Sequence, residues 1–380
     1  MNKNTVKFNA NDNPEFVSTL RTRVNQYFKD NNLSKYANNA MRAKTVFMLL
    51  LYFIPLAFLL SGMVSSFAIA FPLYIIMGFG MAGIGLCVMH DANHGVYSKN
   101  NKVNRALGFT ANFLGAYHIN WKIQHNVLHH SFTNIDEYDE DIDKKGIIRF
   151  SPHQERKGIF KFQAYYAPLL YGLMTFYWLI AKDIDQLISY NKRGLLKGQG
   201  LSFKKALGLM LFNKTWYIAL TLAAPILITG IVWWQMILAF LLMQFISGLV
   251  LALVFQPAHV ITETDFYKVD EKGSVENNWA VHQLRTTSNF GNSSKWFSWI
   301  VGGLNHQIEH HLFPNICHIH YDKIAPIVKQ TAKEYGIPYH HHKSFGVALK
   351  SHFTLLNQLG TGSYDKKVKE MKTAPIPAVA

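Results

Sequence analysis

Two long stretches of the chain, Thr45 to Met89 and Thr215 to Ala258, contain no Asp, Glu, Lys or Arg, whereas the sequence around them is rich in all four. Each is about twice the roughly 20 apolar residues that one membrane-crossing helix needs. Each therefore predicts a helical hairpin. The breaks fall at Ser61 to Phe67 and at Gly230 to Gln235, which places the spans at about 45–64, 67–89, 215–232 and 234–256. Trp233 and Trp234 at the second break suit the aromatic belt of a membrane interface. Pro55, Pro72 and Pro225 fall inside the spans, where neighbouring helices re-satisfy the backbone groups a proline frees.

The sequence between and beyond the hairpins reads differently. Residues 1–44 are polar and basic, with a short helix expected over Pro14 to Asp30 and no leader peptide. Asn104 to Tyr117 is too short to cross and is expected at the interface. Phe162 to Ala181 is long enough, but Lys161 and Lys182 flank it, and Tyr165, Tyr166, Tyr171, Tyr177 and Trp178 suit headgroup depth. It is read as an interfacial helix. The expected architecture is an all-α integral membrane domain over 45–359, four spans in two hairpins, with a helical cap formed by 90–214 and 257–359 holding a two-metal site. The tail from 360 to 380 is expected to be disordered.

Charge sets the orientation. The chain has 38 Lys and Arg and a formal charge of +15, and none of the basic residues lies in either hairpin or its turn. Basic segments beside membrane helices face the cytoplasm, so both termini and the cap are expected there. The positive charge then serves topology and anionic lipid headgroups rather than nucleic acid. Cys87 and Cys317 are isolated, which excludes a disulfide framework and a thiolate metal site.

Three histidine clusters lie just outside the hairpins: His90-Asp-Ala-Asn-His94, His125-Asn-Val-Leu-His129-His130 and Gln307-Ile-Glu-His310-His311. Residues four apart on an α-helix share a face, so His90 with His94, His125 with His129, and Gln307 with His311 can each point at one place. The adjacent pairs His129/His130 and His310/His311 diverge by about 100° and can serve different metals. Imidazole suits transition metals, and the three clusters supply enough nitrogens for two ions. His259, directly after the fourth span, is a further ligand candidate because a helix end is a rigid platform.

These boxes, HxxxH, HxxxHH and QxxHH, resemble those of the integral-membrane fatty acid desaturases, from about Met41 to Tyr339. The glutamine opening the third box resembles the front-end and linoleoyl-CoA desaturase-like subgroup. The His-Pro-Gly-Gly motif of a fused cytochrome b5 domain is absent from this sequence. The resemblance implies two iron ions, O2 as co-substrate, an acyl substrate carried on CoA or a membrane lipid, and electrons from a separate ferredoxin or cytochrome b5-type protein. It implies His90, His94, His125, His129, His130, His259, His310 and His311 as catalytic ligands, with Gln307 at the remaining box position as a metal ligand or as a group just outside the ligands. It also implies a bacterial inner membrane as the site.

Asp91 and Glu309 are read as carboxylates that orient the ligands, since metal-bound histidine donates its other N–H to such a partner. His306 and His282 are candidates for the same outer role. Asn120, Trp121, Trp279, Thr286, Thr287 and Asn289 are expected along the substrate path. His118, His153, His318, His320 and His352 are read as structural, and His340 to His342 as a solvated run. A hydroxylase of the same histidine-box superfamily is the alternative enzyme. A metal transporter would carry ionisable ligands within its spans, and neither hairpin contains a histidine.

Overall fold

The computed structural model describes residues 5–143 and 146–366. Helix α1 (Pro14–Asp30) starts on its proline and buries Phe16, Leu20, Val24 and Phe28, a stripe at i, i+4 spacing. Four helices are long and apolar enough to cross a bilayer: α2 (Asn39–Leu60), α3 (Phe67–Asn93), α4 (Phe203–Thr229) and α5 (Trp233–His259). The cap contributes α6 (Gln307–Leu312), α7 (Tyr321–Glu334) and α8 (Phe345–Thr361).

The spanning helices run further than the charge-free stretches at their inner ends. α3 continues through His90 and Asp91, α4 begins among Lys204 and Lys205, and α5 ends on His259. Absence of charge marks only the depth of hydrocarbon. Backbone hydrogen bonding carries each helix on into the cap, so the candidate ligands His90 and His259 project from rigid helix ends. Gly230, at φ 65°, breaks the second hairpin in a left-handed turn that a residue with a Cβ would resist. Upstream of Pro225 the helix loosens into a π-turn over Ala219–Ala223, an adjustment that accommodates the missing N–H.

α3 packs against both α2 and α5 along its length, and the buried core between them includes Tyr52, Tyr74, Met81, Met243 and Leu251. Their outward faces carry exposed Phe47, Leu50, Ile54, Phe79 and Leu238, a surface suited to lipid. Polar groups inside the bundle tie helices together: Tyr74 donates to the Thr221 carbonyl at 2.8 Å and Gln244 Nε2 donates to Tyr217 at 2.7 Å.

Residues 158–192 form a kinked helical stretch. Its middle reaches α5, where Thr175 donates to the Gln244 carbonyl at 2.7 Å, and a Cβ on Gly248 would lie 2.7 Å from the Gly172 carbonyl oxygen. Only glycine allows that approach. Both ends are fastened to neighbours of the cap: Gln163 donates to Arg149 and Leu356 carbonyls, and Asp183 accepts from the Tyr117 amide at 2.7 Å and from Lys214 at 2.7 Å.

Two expectations are corrected. His340–His342 is a strand, β2, paired in parallel with Ser288–Phe290, β1, so His341 is exposed while its neighbours are half-buried. The tail is ordered as far as residue 366, because α8 continues to Thr361 and the buried Arg149 guanidinium grips Asp365 through two bonds of 3.0 and 3.1 Å. Residues 367–380 lie outside the described residues.

Candidate metal centre

The three boxes and His259 meet where α3 and α5 enter the cap. Nitrogens of His90, His94, His125 and His310 lie within 4.8 Å of one another, as do those of His129, His259 and His311, and those of His130, His310 and His311. His130 and His310 thus stand between the two groups. Nε2 of His90 is 3.1 Å from Nε2 of His125, and Nε2 of His130 is 3.2 Å from that of His125 and 2.9 Å from that of His310.

The partition of box two differs from simple α-helical arithmetic. Ile123–His129 is a π-helical turn, in which hydrogen bonds run from i to i+5. Five residues then make about one turn, so His125 faces the same place as His130, while His129 turns to His259 and His311 at ring separations of 4.8 and 5.0 Å. A second π-turn, Ile84–Met89, delivers His90. Insertions of this kind re-aim side chains without breaking the helix.

The outer nitrogens are engaged by the surrounding protein, which turns the inner ones toward the centre. His129 Nδ1 donates to Asp139 at 3.1 Å, with Asp141 at 3.4 Å; His311 Nδ1 donates to Gln283 Oε1 at 2.8 Å; His259 Nδ1 donates to the Thr286 carbonyl at 3.1 Å. His310 Nδ1 meets the Tyr321 hydroxyl at 3.2 Å. The carboxylate and the two carbonyl oxygens can only accept, which fixes in His129, His311 and His259 the tautomer with its N–H on Nδ1 and a lone pair on Nε2. The Nε2 atoms of His94, His259 and His311 are buried and have no partner within the protein. Burial first, and then the neighbouring rings, hold His94, His125, His130, His310 and His311 well below the ordinary histidine pKa. The rings are therefore neutral at pH 7. Neutral imidazoles with converging lone pairs about 3 Å apart match the spacing of adjacent ligands on one ion at bonds of about 2.1 Å. The side chains present fit two transition-metal ions.

The sequence profile of the fatty acid desaturase family matches residues 65–343, a range that takes in all three boxes and His259. This chain belongs to the fatty acid desaturase family. It is 35% identical over 352 residues to an sn-1 linoleoyl-lipid 6-desaturase of Synechocystis sp., covering 92% of this chain and 96% of that one. It is 34% identical to an acyl-lipid (8-3)-desaturase of Physcomitrium patens, over 94% of this chain and 74% of the relative. A Delta(5) fatty acid desaturase of Dictyostelium discoideum is 30% identical, over 93% of this chain and 77% of that protein. With four apolar spans and a buried histidine centre, the protein is a membrane fatty acid desaturase.

The remaining candidate residues of this desaturase are placed as follows. Gln307 is buried against His259, with an unpartnered Nε2, on the side of the second group. Asp91 faces His90 Nδ1 at 3.5 Å but is held chiefly by His318, whose Nδ1 and backbone amide donate to it at 2.9 and 3.1 Å. Glu309 does not touch the box rings. Its carboxylate accepts from Asn289 at 2.7 Å and Tyr339 at 2.9 Å, because neighbouring helix positions point about 100° apart. His306 Nδ1 accepts from Asn292 at 3.0 Å. His282 reaches the Thr133 carbonyl at 2.7 Å, its pKa pushed down to about 4 by burial, and leaves the next residue, Gln283, to meet His311.

The polar residues expected along a substrate path act as scaffold. Asn120 donates to Asp183, Trp279 Nε1 to the His130 carbonyl, and Asn289 to Glu309 and Tyr339. Thr286 holds His259 through its carbonyl, and the Thr287 hydroxyl is buried without a partner. Trp121 stacks on His125 at 4.5 Å and forms one wall of the centre. His118, His153, His320 and His352 bond to Asn112, Phe266, Tyr36 and Tyr171 respectively, all away from the centre.

His318 differs from these. Its Nε2 accepts from the buried Lys44 ammonium at 2.9 Å, so a chain runs from Lys44 through His318 and Asp91 to His90. Burial pushes the His318 pKa down to about 4, which keeps that accepting lone pair. Asp91, Cys317 and His318 have metal-like spacing, but the lysine already supplies the cation there. Lys44, Asp139, Gln283 and Tyr321 are residues the sequence reading passed over, and His318 is one it read as structural. The acidic run Asp136 to Asp143 directly after box two was the one available signal.

Proposed function

We propose that the eight histidines hold two iron ions, and that the protein uses O2 to introduce a double bond into a lipid-linked acyl chain on its carboxyl side. The observation that carries this reading is the set of buried, inward-facing, unpartnered Nε2 atoms. In this assignment His90, His94, His125 and His310 serve one ion, His129, His259 and His311 the other, with His130 between and Gln307 beside the second. Iron with O2 supplies the oxidising power that an unactivated C–H bond demands and acid–base side chains lack.

The chain's own residues do the rest. Asp139, Gln283, Tyr321 and the Thr286 carbonyl keep the rings in register, and Asp91 steadies His90. Trp121 and Phe255, whose ring lies 6.2 Å from that of His125, give apolar cover on the membrane side. Seven of the eight histidines are buried and His94 is half-buried with its Nε2 covered, an enclosure that keeps bulk water from the oxidant. The names of the relatives support a lipid-linked substrate over acyl-CoA and a site near the carboxyl end. The confinement of Lys and Arg supports an orientation with the centre and both termini on the cytoplasmic face, and the similarity to a Synechocystis protein supports a bacterial membrane.

Expression in a bacterial host lacking polyunsaturated lipids, supplied with linoleate, is expected to yield a fatty acid with one further cis double bond nearer the carboxyl group. A hydroxy acid as sole product, or no new product from membrane-inserted protein, contradicts the proposal. A protease site inserted near Gly198 should be cut only from the cytoplasmic side; cutting from outside would contradict the orientation.

A further inference from the structure

A surface groove of about 480 Å³ lies on the cap, lined by Pro326, Lys329, Gln330, Lys333, Ile337 and Tyr339. Its rim is basic. Lys329 and Lys333 are exposed and have no ion-pair partner among the described residues, whereas the nearby acid Glu334 is already paired with Arg23 at 2.7 Å. The groove's helix, α7, packs chiefly on α1 and α6 and on the turn at His318–His320, none of which crosses the bilayer. The groove therefore lies on cap elements rather than on a spanning helix.

The floor of the groove connects to the metal centre. The Tyr339 hydroxyl donates to Glu309 at 2.9 Å and accepts from Asn289 at 2.7 Å, and Glu309 immediately precedes His310 in α6. Neither Glu309 nor Tyr339 contacts a box ring, so the centre's internal bonding leaves this pair unexplained.

Resting on the desaturase reading, the chemistry requires an external reductant. One turnover removes a hydrogen from each of two adjacent methylenes, forms the C=C bond and reduces O2 to two waters. The substrate supplies two electrons and two protons, and two further electrons and two protons must come from outside. We propose that this groove docks the acidic face of a soluble one-electron carrier protein, which delivers those two electrons in successive visits by way of Tyr339, Glu309 and α6. A basic rim around an apolar floor suits an acidic protein surface, and rim charges of this kind act mainly on encounter and on salt dependence.

The test compares wild type with Lys329→Glu/Lys333→Glu in lipid nanodiscs, using an acidic [2Fe–2S] ferredoxin with NADPH and ferredoxin reductase as probe. The ferredoxin concentration giving half-maximal rate is expected to rise at least about tenfold in the variant and to lose most of its dependence on salt. The rate at saturating ferredoxin, the iron content and the acyl-lipid KM should stay as in wild type. An unchanged ferredoxin dependence overturns the proposal. So does a raised acyl-lipid KM in its place, which would assign the lysines to an anionic headgroup, or a wild type that turns over with dithionite but not with ferredoxin. Wild type that makes no double bond even with dithionite fails the desaturase reading instead.

Discussion

His259→Ala is expected to abolish desaturation. His259 closes the second group of nitrogens with His129 and His311, its Nε2 has no protein partner, and its ring is fixed by the Thr286 carbonyl. An ion that loses one of a small set of ligands loses the geometry the protein must hold for it. The same outcome is expected for His94→Ala, His129→Ala and His311→Ala. His341→Ala, on the exposed position of β2, should retain activity close to wild type. Product formation with metal content, measured on membrane-inserted variants, checks all five. Full activity in His259→Ala would remove that residue from the site.

The second large effect is expected at His318. The chain from Lys44 to His90 places a buried cation and a buried carboxylate on either side of one imidazole, and removing the bridge strands both charges. Breaking such a network costs about 3–5 kcal/mol, and loss of an outer partner of a metal ligand lowers activity or affinity by about 10- to 100-fold. His318→Ala should therefore lose activity by that factor while retaining part of its metal. Asp139→Ala, which takes the nearer carboxylate from His129 Nδ1, should fall in the same range. Thermal unfolding and initial rates on the purified variants decide the matter. A His318→Ala protein of wild-type rate would show that Asp91 needs no support from Lys44.

What the sequence made legible and what it hid have distinct physical origins. Membrane depth is written locally, since exclusion of charge from hydrocarbon acts on each residue in turn, so the four spans stand out from composition alone. Their inner ends do not, because a helix leaving the bilayer keeps its hydrogen bonds while its side chains become polar. The histidines announce themselves by spacing, but the pairing of His125 with His130 depends on π-turns that leave no clear mark in composition. The outer partners are the least visible. Asp91 and His318 stand 227 positions apart, and His129 finds its carboxylate in a loop rather than on its own helix. Such contacts exist only after the cap has closed over the helix ends. Glu309 shows the converse, a carboxylate inside a box that points away from the metal-binding rings.

The most direct test of the account is the metal content of the wild-type desaturase, purified in its membrane-inserted form and assayed in the same preparation. Iron counted against protein, with the ligand field read by Mössbauer and X-ray absorption spectroscopy, should give two ions per chain in nitrogen-rich, carboxylate-poor surroundings, with activity rising as the second ion is loaded. Full activity with a single iron per chain would contradict the assignment of eight histidines to a two-iron centre.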